Sequence, residues 1–155
     1  MRYEMKLKKR EMSEEDSRKV LEHGVFGVLS TISPDHEPYG VPVNYVYFNG
    51  CIYFHCAKSG RKLENIIYNS SVSFNVTTQA DVIPEGFTTS FTNAMVFGRA
   101  SIVEDETEKR QALTKLGEKY SAPYMERYME CIDRSIKGVS IVKITVSAIS
   151  GKQSG

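Results

Sequence analysis

The chain has 155 residues, and its 20 Lys and Arg residues nearly balance its 19 Asp and Glu residues, leaving a formal net charge of +1. Apolar residues make up 41% and charged residues 25%, so we expect one globular domain over residues 1–155. The charge balance argues against nucleic-acid binding over a whole basic surface and against an acidic disordered tail. The sequence has no membrane-length apolar run and no signal-peptide core, which predicts a cytoplasmic protein that does not bind membranes.

The cysteines and histidines are few and scattered. Three cysteines do not make a disulfide framework, and we favour buried free thiols in a reducing compartment over a redox or metal role. A zinc site would need clustered ligands at short spacing, so no metal site is predicted. The residues concerned are Cys51, Cys56, Cys131, His23, His36 and His55.

The first elements are a helix and a strand. Ser13 followed three residues later by Asp16 is typical of a helix N-terminus, and Gly24 is a plausible end. Residues 1–24 are therefore expected to form an N-terminal arm and a helix. The continuous apolar run over residues 25–32 has strand length and predicts burial on both faces.

A hairpin and a short helix follow. Residues 41–48 are β-branched and aromatic and predict one strand, with Pro42 at a sheet edge or a bulge because it cannot donate to the ladder. Asn49-Gly50 is a strong hairpin signal and connects this strand to a second one over residues 51–56. Apolar residues at helical spacing within residues 63–67 predict an amphipathic helix.

The next region is predicted to be two strands separated by a loop. Residues 72–76 alternate apolar and polar side chains, as in a half-buried antiparallel strand. Residues 80–89, around a proline and a glycine, predict a loop. Residues 94–103 predict another strand, with Gly98 at a bulge or at a close approach of two backbones.

Two helices and a strand complete the pattern. Asp105 and Glu108 form a capping-box signature for a helix that carries Tyr120 on its apolar face. Pro123 suits the first turn of a further helix that ends at Gly138. Residues 139–149 predict the final strand.

About six strands with hairpin-scale connections, and helices between and beside them, favour an α+β, mainly β fold built on an antiparallel barrel. Strands and long helices do not alternate, and no G-x-G-x-x-G follows a strand, so a Rossmann sheet is disfavoured.

The best local constellation for chemistry is a basic turn between a predicted strand and a predicted helix. Lys58, Arg61 and Lys62 place three cations within five residues, Gly60 permits close backbone approach, and Ser59 can cap the helix. Exposed N–H groups and positive charge at a helix N-terminus suit a phosphate. The alternative is a solvated basic turn in which Ser59 is an ordinary helix cap.

Two nearby features add to this interpretation. The strand around Pro42 and Asn44 has a broken ladder, so its free backbone groups could meet a planar heteroaromatic ring, although an edge strand blunted by proline explains it as well. His55 lies three residues before the basic turn, and so near any bound phosphate compound. Taken alone, His55 is typical of a core or barrel-rim histidine.

These pieces, in this order, resemble the FMN-binding split-barrel superfamily of pyridoxamine 5′-phosphate oxidase, and within it the branch of 5-nitroimidazole resistance (Nim) proteins. The resemblance covers residues from about 25 to 152, nearly the whole chain. The segments that carry it are Phe26-Gly27-Val28-Leu29-Ser30-Thr31, Pro38-Tyr39-Gly40-Val41-Pro42-Val43-Asn44-Tyr45-Val46-Tyr47, Ile52-Tyr53-Phe54-His55-Cys56-Ala57, Gly60-Arg61-Lys62, Val96-Phe97-Gly98-Arg99-Ala100 and Ser150-Gly151-Lys152.

The resemblance implies a six-stranded split barrel with flanking helices, a homodimer, and FMN bound at the dimer interface. It implies that the basic turn holds the phosphate, that the ring lies along the backbone of two strands, and that the partner subunit completes the site. In Nim proteins a histidine lies close to the flavin, and His55 matches that position. The implied cofactor-binding residues are Val43, Asn44, Tyr45, Phe54, His55, Cys56, Lys58, Ser59, Arg61, Lys62 and, from the partner, Thr92, Asn93 and Met95.

The leading functional hypothesis is an FMN-dependent oxidoreductase that reduces a small electron-poor compound such as a nitroimidazole or another nitroaromatic. Histidines titrate near neutrality, so His55 could position the substrate or supply a proton. One alternative is a non-catalytic flavin- or haem-binding protein for storage or sensing, because fold does not fix function. A dimeric interaction module and nucleic-acid binding through the basic cluster of residues 6–10 are weaker alternatives.

Overall fold

The computed structural model describes residues 4–155, so the first three residues of the predicted N-terminal arm lie outside the described residues. Within residues 4–155 the chain forms eight strands and four α-helices. The strands are β1 (Glu11–Met12), β2 (Gly27–Ile32), β3 (Pro38–Val43), β4 (Val46–Phe48), β5 (Cys51–Ala57), β6 (Ser71–Ile83), β7 (Thr88–Ile102) and β8 (Val139–Ser154). The helices are α1 (Glu14–His23), α2 (Arg61–Tyr68), α3 (Glu106–Tyr120) and α4 (Met125–Ser135).

All the strands pair antiparallel in one open sheet with the order β3-β2-β6-β7-β8-β5-β4, and β1 pairs with β8. The predicted fold class, an α+β split antiparallel barrel with flanking helices, is confirmed. Six strands have six residues or more, as predicted, and the additional two are the short β1 and β4. The sheet ends on β3 and β4, which follow each other in sequence, so the barrel wall is open between them.

Two apolar cores lie on the two faces of this sheet. The larger core contains Ile52, Phe54 and Phe74, and the smaller one contains Cys51 and Tyr53 together with side chains of α3 and α4. Successive residues of β5 therefore point alternately into the barrel and toward α3, as the two-residue period of a strand requires.

Where the sequence predicts one strand over residues 41–48, the structure has two, because the chain leaves the sheet at Asn44 and Tyr45. Pro42 lies in β3, the end strand of the sheet, as predicted for a residue without an N–H donor. The hairpin at Asn49-Gly50 also forms as predicted, with positive φ angles of 51° and 71° at the two residues.

The predicted loop over residues 80–89 is wrong. β6 continues to Ile83 and β7 begins at Thr88, so the two strands form one long hairpin closed by a single 3-10 turn over Pro84–Gly86. Four β-branched residues, Val82, Ile83, Thr88 and Thr89, flank this turn closely enough to extend both strands, and the loop signal is confined to the turn itself. At Gly98 the predicted bulge is present, as a register shift in the pairing of β7 with β8.

Helix α3 is attached to the sheet by the residue predicted to complete its capping box. Asp105 caps the helix, accepting the Glu108 N–H at 2.8 Å. The Glu108 carboxylate instead accepts from the Lys143 ammonium and from the Tyr53 hydroxyl, each at 2.7 Å. These bonds lower the pKa of Glu108, whereas burial and then Glu108 raise the pKa of Tyr53 to about 12.

We therefore expect Glu108→Ala to lower the free energy of unfolding by about 1–3 kcal/mol, because the buried Tyr53 hydroxyl loses its acceptor. Denaturant unfolding at neutral pH measures this loss. The matched control is Glu118→Ala, on the same helix, whose pairing with Lys115 is surface-exposed and whose removal should change stability by less than about 0.5 kcal/mol.

The stabilisation should depend on pH with a definite sign. The folded-state pKa of Glu108 is lowered, so its contribution is present above the pKa of an ordinary glutamate and is lost as pH falls through the lowered value. The difference between wild type and Glu108→Ala should therefore shrink in acid. Equal losses for the Glu108 and Glu118 variants at neutral pH would contradict this account.

Candidate functional site

The opening in the barrel wall lies beside β5. This strand pairs with β8 along its whole length, from Cys51 to Ala57, but with β4 only from Cys51 to Tyr53. On that side its second half has no strand partner in the described part of the chain, and β3 turns away to pair with β2. We call the space between β3 and the second half of β5 the gap.

The backbone of β5 offers polar groups to the gap at alternate residues. The carbonyl of Ile141, opposite His55 on β8, accepts the Val103 N–H at 2.9 Å and therefore points away from β5. Because hydrogen-bonded and non-hydrogen-bonded pairs alternate in an antiparallel ladder, His55 and Ala57 direct their N–H and C=O groups to the gap. Phe54 and Cys56 direct theirs to β8.

The side chains of β5 alternate in the same way. Phe54 is fully buried in the barrel core, and Cys56 is partly buried beside it. Burial raises the pKa of the Cys56 thiol, and the charge of Lys62 acts in the opposite direction. The His55 side chain is exposed on the other face of the sheet. Among the predicted ring contacts on β5, His55 is thus the one with both an accessible side chain and backbone groups facing the gap.

The strand is interrupted at residues 44–45 and, contrary to the expectation from the sequence, the backbone groups there are not all free. Tyr45 donates its N–H to the Tyr120 hydroxyl at 3.0 Å, and its carbonyl accepts from Lys119 at 3.0 Å and from Tyr120 at 2.9 Å. At Tyr45 the expectation is therefore wrong, because the end of α3 occupies both groups. Asn44 donates its side-chain amide to the Val25 carbonyl at 3.0 Å, and Val43 pairs with Gly27.

The basic turn joins β5 to α2. Gly60, at φ 137°, is the N-cap of α2, and no side chain caps this helix. The prediction that Ser59 caps the helix is therefore wrong, and a solvated basic turn stays open as the alternative to a phosphate site. A residue with a side chain would be strained at this φ, so the glycine is required by the turn.

The three cations of this turn differ in their partners. Arg61 donates to the Glu37 carboxylate and lies 4.5 Å from the centre of the Tyr39 ring, and it thereby links α2 to the start of β3. Lys58 and Lys62 have no carboxylate within 4 Å in residues 4–155. Two uncompensated positive charges therefore remain at the end of the gap.

A further cation lies close to this turn and was not predicted. Burial lowers the pKa of Lys109, on α3, and repulsion from Lys58 lowers it further. Nothing in the sequence pattern indicated this proximity, because Lys58 and Lys109 meet only after α3 folds back over β5. Lys109 therefore adds a cation beside the turn, and the nearby Glu106 carboxylate partly offsets its charge.

The predicted partner-subunit residues lie elsewhere. Thr92, Asn93 and Met95 are on β7, which β8 separates from β5. The Asn93 amide group bonds Asn75 at 2.9 Å, and Met95 lines a groove of about 870 Å³. Within one chain, the structure does not bring these three residues to the gap.

The remaining sequence expectations concern thiols, metals and membranes. Cys51 is buried and Cys56 partly buried, whereas Cys131 is exposed, contrary to expectation, because it lies on the outer side of α4. In residues 4–155 no three His, Cys, Asp or Glu side chains are grouped to hold a metal ion. None of the described helices combines the length and apolar character needed to cross a bilayer.

Solved structures with this fold come from several bacteria. A candidate 5-nitroimidazole antibiotic resistance protein from Bacteroides thetaiotaomicron is 22% identical, with 92% of this chain and 85% of that chain covered and a TM-score of 0.73. A flavocytochrome from Azotobacter vinelandii is 15% identical, with 99% and 73% covered and a TM-score of 0.85. An FAD-binding protein from Mesorhizobium loti is 22% identical, with 94% and 98% covered and a TM-score of 0.66.

At these identities the three structures establish a shared fold and nothing further. No curated protein sequence matches the chain. A family model described as pyridoxamine 5′-phosphate oxidase matches residues 13–153, which is most of the chain. The chain therefore belongs to the pyridoxamine 5′-phosphate oxidase family.

Proposed function

We propose that the protein is an FMN-dependent oxidoreductase that works as a homodimer and reduces a small electron-poor compound, such as a nitroimidazole or another nitroaromatic. The observation that carries the proposal is the continuity of the gap with the basic turn. An unpaired strand edge, suited to the polar rim of a flat ring, leads directly to two uncompensated lysines, suited to a phosphate.

The residues at the turn fit a flavin phosphate. Lys58 and Lys62 supply charge, and the first N–H groups of α2 have no intrahelical acceptors and point toward the turn. Arg61 would contribute by sharing its guanidinium between Glu37 and the phosphate. Ser59 is exposed beside these groups and could donate its hydroxyl.

The residues at the gap fit a flat heteroaromatic ring. His55 would offer backbone groups to the ring's polar edge, while Val43 and Asn44 would line the opposite side. Tyr45, Phe54 and Cys56 would form a packed wall that excludes water, since their side chains are buried or partly buried. When bound, the flavin would supply the electron transfer.

The His55 side chain is proposed to bind the substrate and to exchange a proton with it. Its imidazole is exposed and belongs to the same residue whose backbone faces the gap. An exposed imidazole can both reach a substrate and regain a proton from solvent.

A second copy of the chain would complete the site with Thr92, Asn93 and Met95. The groove that Met95 lines contains the apolar side chains of Met5, Phe97 and Ile149 beside charged and polar ones, and Phe97 is 54% exposed in the single chain. An apolar surface of this kind is typical of an interface between subunits.

The proposal predicts that purified protein binds FMN. Titrating the apoprotein with FMN should quench the flavin fluorescence and shift the visible absorption bands, with one site per chain. FAD and haem serve as competitors that show whether FMN is the preferred cofactor, while reduction of a nitroaromatic by the reduced protein separates the proposal from a non-catalytic binding protein. A protein that stays colourless and produces no spectral change with FMN would refute it.

The two uncompensated lysines are expected to dominate phosphate recognition. We expect the double variant Lys58→Ala plus Lys62→Ala to weaken FMN binding by about a hundredfold or more, because each charge-assisted bond contributes about 1.5–3 kcal/mol. Isothermal titration measures the affinity. Riboflavin, which lacks the phosphate, should bind both proteins equally.

The matched control for that experiment is Lys19→Ala plus Lys115→Ala, which removes the same charge from lysines that surface carboxylates already pair. Its FMN affinity should remain within about twofold of wild type, because long-range surface charges are screened. Equal weakening by both double variants would refute the phosphate assignment.

His55→Ala should retain FMN and lower the rate at which the reduced protein reduces a 5-nitroimidazole, by about tenfold or more if the imidazole transfers a proton. Stopped-flow mixing of dithionite-reduced protein with the substrate measures this rate. The control is His36→Ala, in the exposed turn between β2 and β3, which should react as fast as wild type. An unchanged rate in His55→Ala would remove His55 from the reaction.

A further inference from the structure

Lys119, at the C-terminal end of α3, is a partly buried ammonium without a counter-charge. Its Nζ donates to the Tyr45 carbonyl at 3.0 Å and lies 3.9 Å from the centre of the Tyr45 ring. No carboxylate lies within 4 Å of it in residues 4–155. The sequence analysis gave this residue no role.

The attachment of α3 to the strand interruption at residues 44–45 does not require the charge of Lys119. The Tyr120 hydroxyl already accepts the Tyr45 N–H and lies 2.6 Å from the Val25 carbonyl and 2.9 Å from the Tyr45 carbonyl. Lys119 adds one hydrogen bond to a carbonyl that Tyr120 also reaches. A partly buried charge is costly unless it is compensated. The attachment of α3 to Tyr45 therefore does not explain why residue 119 is a lysine.

Burial lowers the pKa of Lys119 to about 8. The titratable groups in contact with it are the hydroxyl-bearing rings of Tyr45 and Tyr120, at 3.9 Å and 5.2 Å from Nζ to the ring centres. Burial also raises the pKa of Tyr45, so that residue keeps its proton at neutral pH. Negative charge brought to the strand interruption at residues 44–45 would therefore encounter an ammonium that bonds a carbonyl and contacts two rings but is neutralised by no carboxylate in residues 4–155.

We propose that Lys119 is an electrostatic positioning residue of the flavin site. Its ammonium, beside Tyr45, favours the reduced, negatively charged flavin over the oxidised one. This inference rests on the proposed function, which places the ring along Val43 and Asn44, directly before the residue that Lys119 contacts. Two-electron reduction near neutral pH adds two electrons and one proton to the flavin, so the ring gains one negative charge. An uncompensated cation stabilises that charge through a medium less polar than water.

Lys119→Met tests the proposal, because methionine keeps the length of the side chain and removes the charge. The affinities for oxidised and reduced FMN are measured under anaerobic conditions, with dithionite as the reductant and a reference dye for the midpoint potential. We expect reduced FMN to lose about tenfold more affinity than oxidised FMN, which corresponds to a fall of about 30 mV for a two-electron couple.

Three further variants separate charge from structure. Lys115→Met, one turn earlier on α3, removes a lysine that Glu118 already compensates and should leave the potential unchanged. Lys119→Arg should restore most of the wild-type potential. Tyr120→Phe removes the hydrogen bonds of the Tyr120 hydroxyl to Tyr45 and Val25 and should lower the melting temperature. The preference for reduced flavin should stay within about twofold of wild type.

The pH dependence is a second readout. The wild-type potential should change slope between pH 7 and 9, where Lys119 loses its proton, and the change should be absent in Lys119→Met. If FMN binds but Lys119→Met leaves the potential and its slope unchanged, this inference fails and the proposed function stands. If the wild-type protein binds no FMN, both fail.

Discussion

The interruption of the strand at Asn44 and Tyr45 is the constraint on which the rest of the structure depends. Tyr45 closes the barrel core with a fully buried ring, while its backbone groups bond to the end of α3 instead of to a strand. The ladder between β4 and β5 therefore stops at Tyr53, and the second half of β5 is left with a free edge. The opening that could hold a ligand is thus a consequence of how one tyrosine is held.

In the same arrangement, apolar side chains hold β5 in place, while its backbone carries the polar groups of the candidate site. Apolar side chains on both faces of β5 fix its position, and Glu108 fastens α3 across the strand. The backbone that carries the polar groups of β5 is therefore held from both faces of the sheet. Such preorganisation would lower the entropic cost of binding the flat cofactor that we propose for this site.

Local signals were sufficient for most of the fold. The cap at Ser13, the turn at Asn49-Gly50 and the bulge at Gly98 are determined by neighbouring residues, and each forms as predicted. The contacts of Tyr120 and Lys109 could not be predicted from the sequence, since they join α3 to segments 50 or more residues away. For Tyr120, helical periodicity placed the ring on the apolar face but could not reveal that its hydroxyl bonds the broken strand.

The placement of β8 has a consequence for how the protein is made. This strand lies between β7 and β5 in the sheet and also pairs with β1, although it follows all of them in the chain. During synthesis, β5 and β7 each keep an unpaired edge until β8 leaves the ribosome. Folding must then join segments far apart in sequence, which is slow and exposes strand edges to aggregation. The nascent chain is thus most vulnerable just before its final strand arrives.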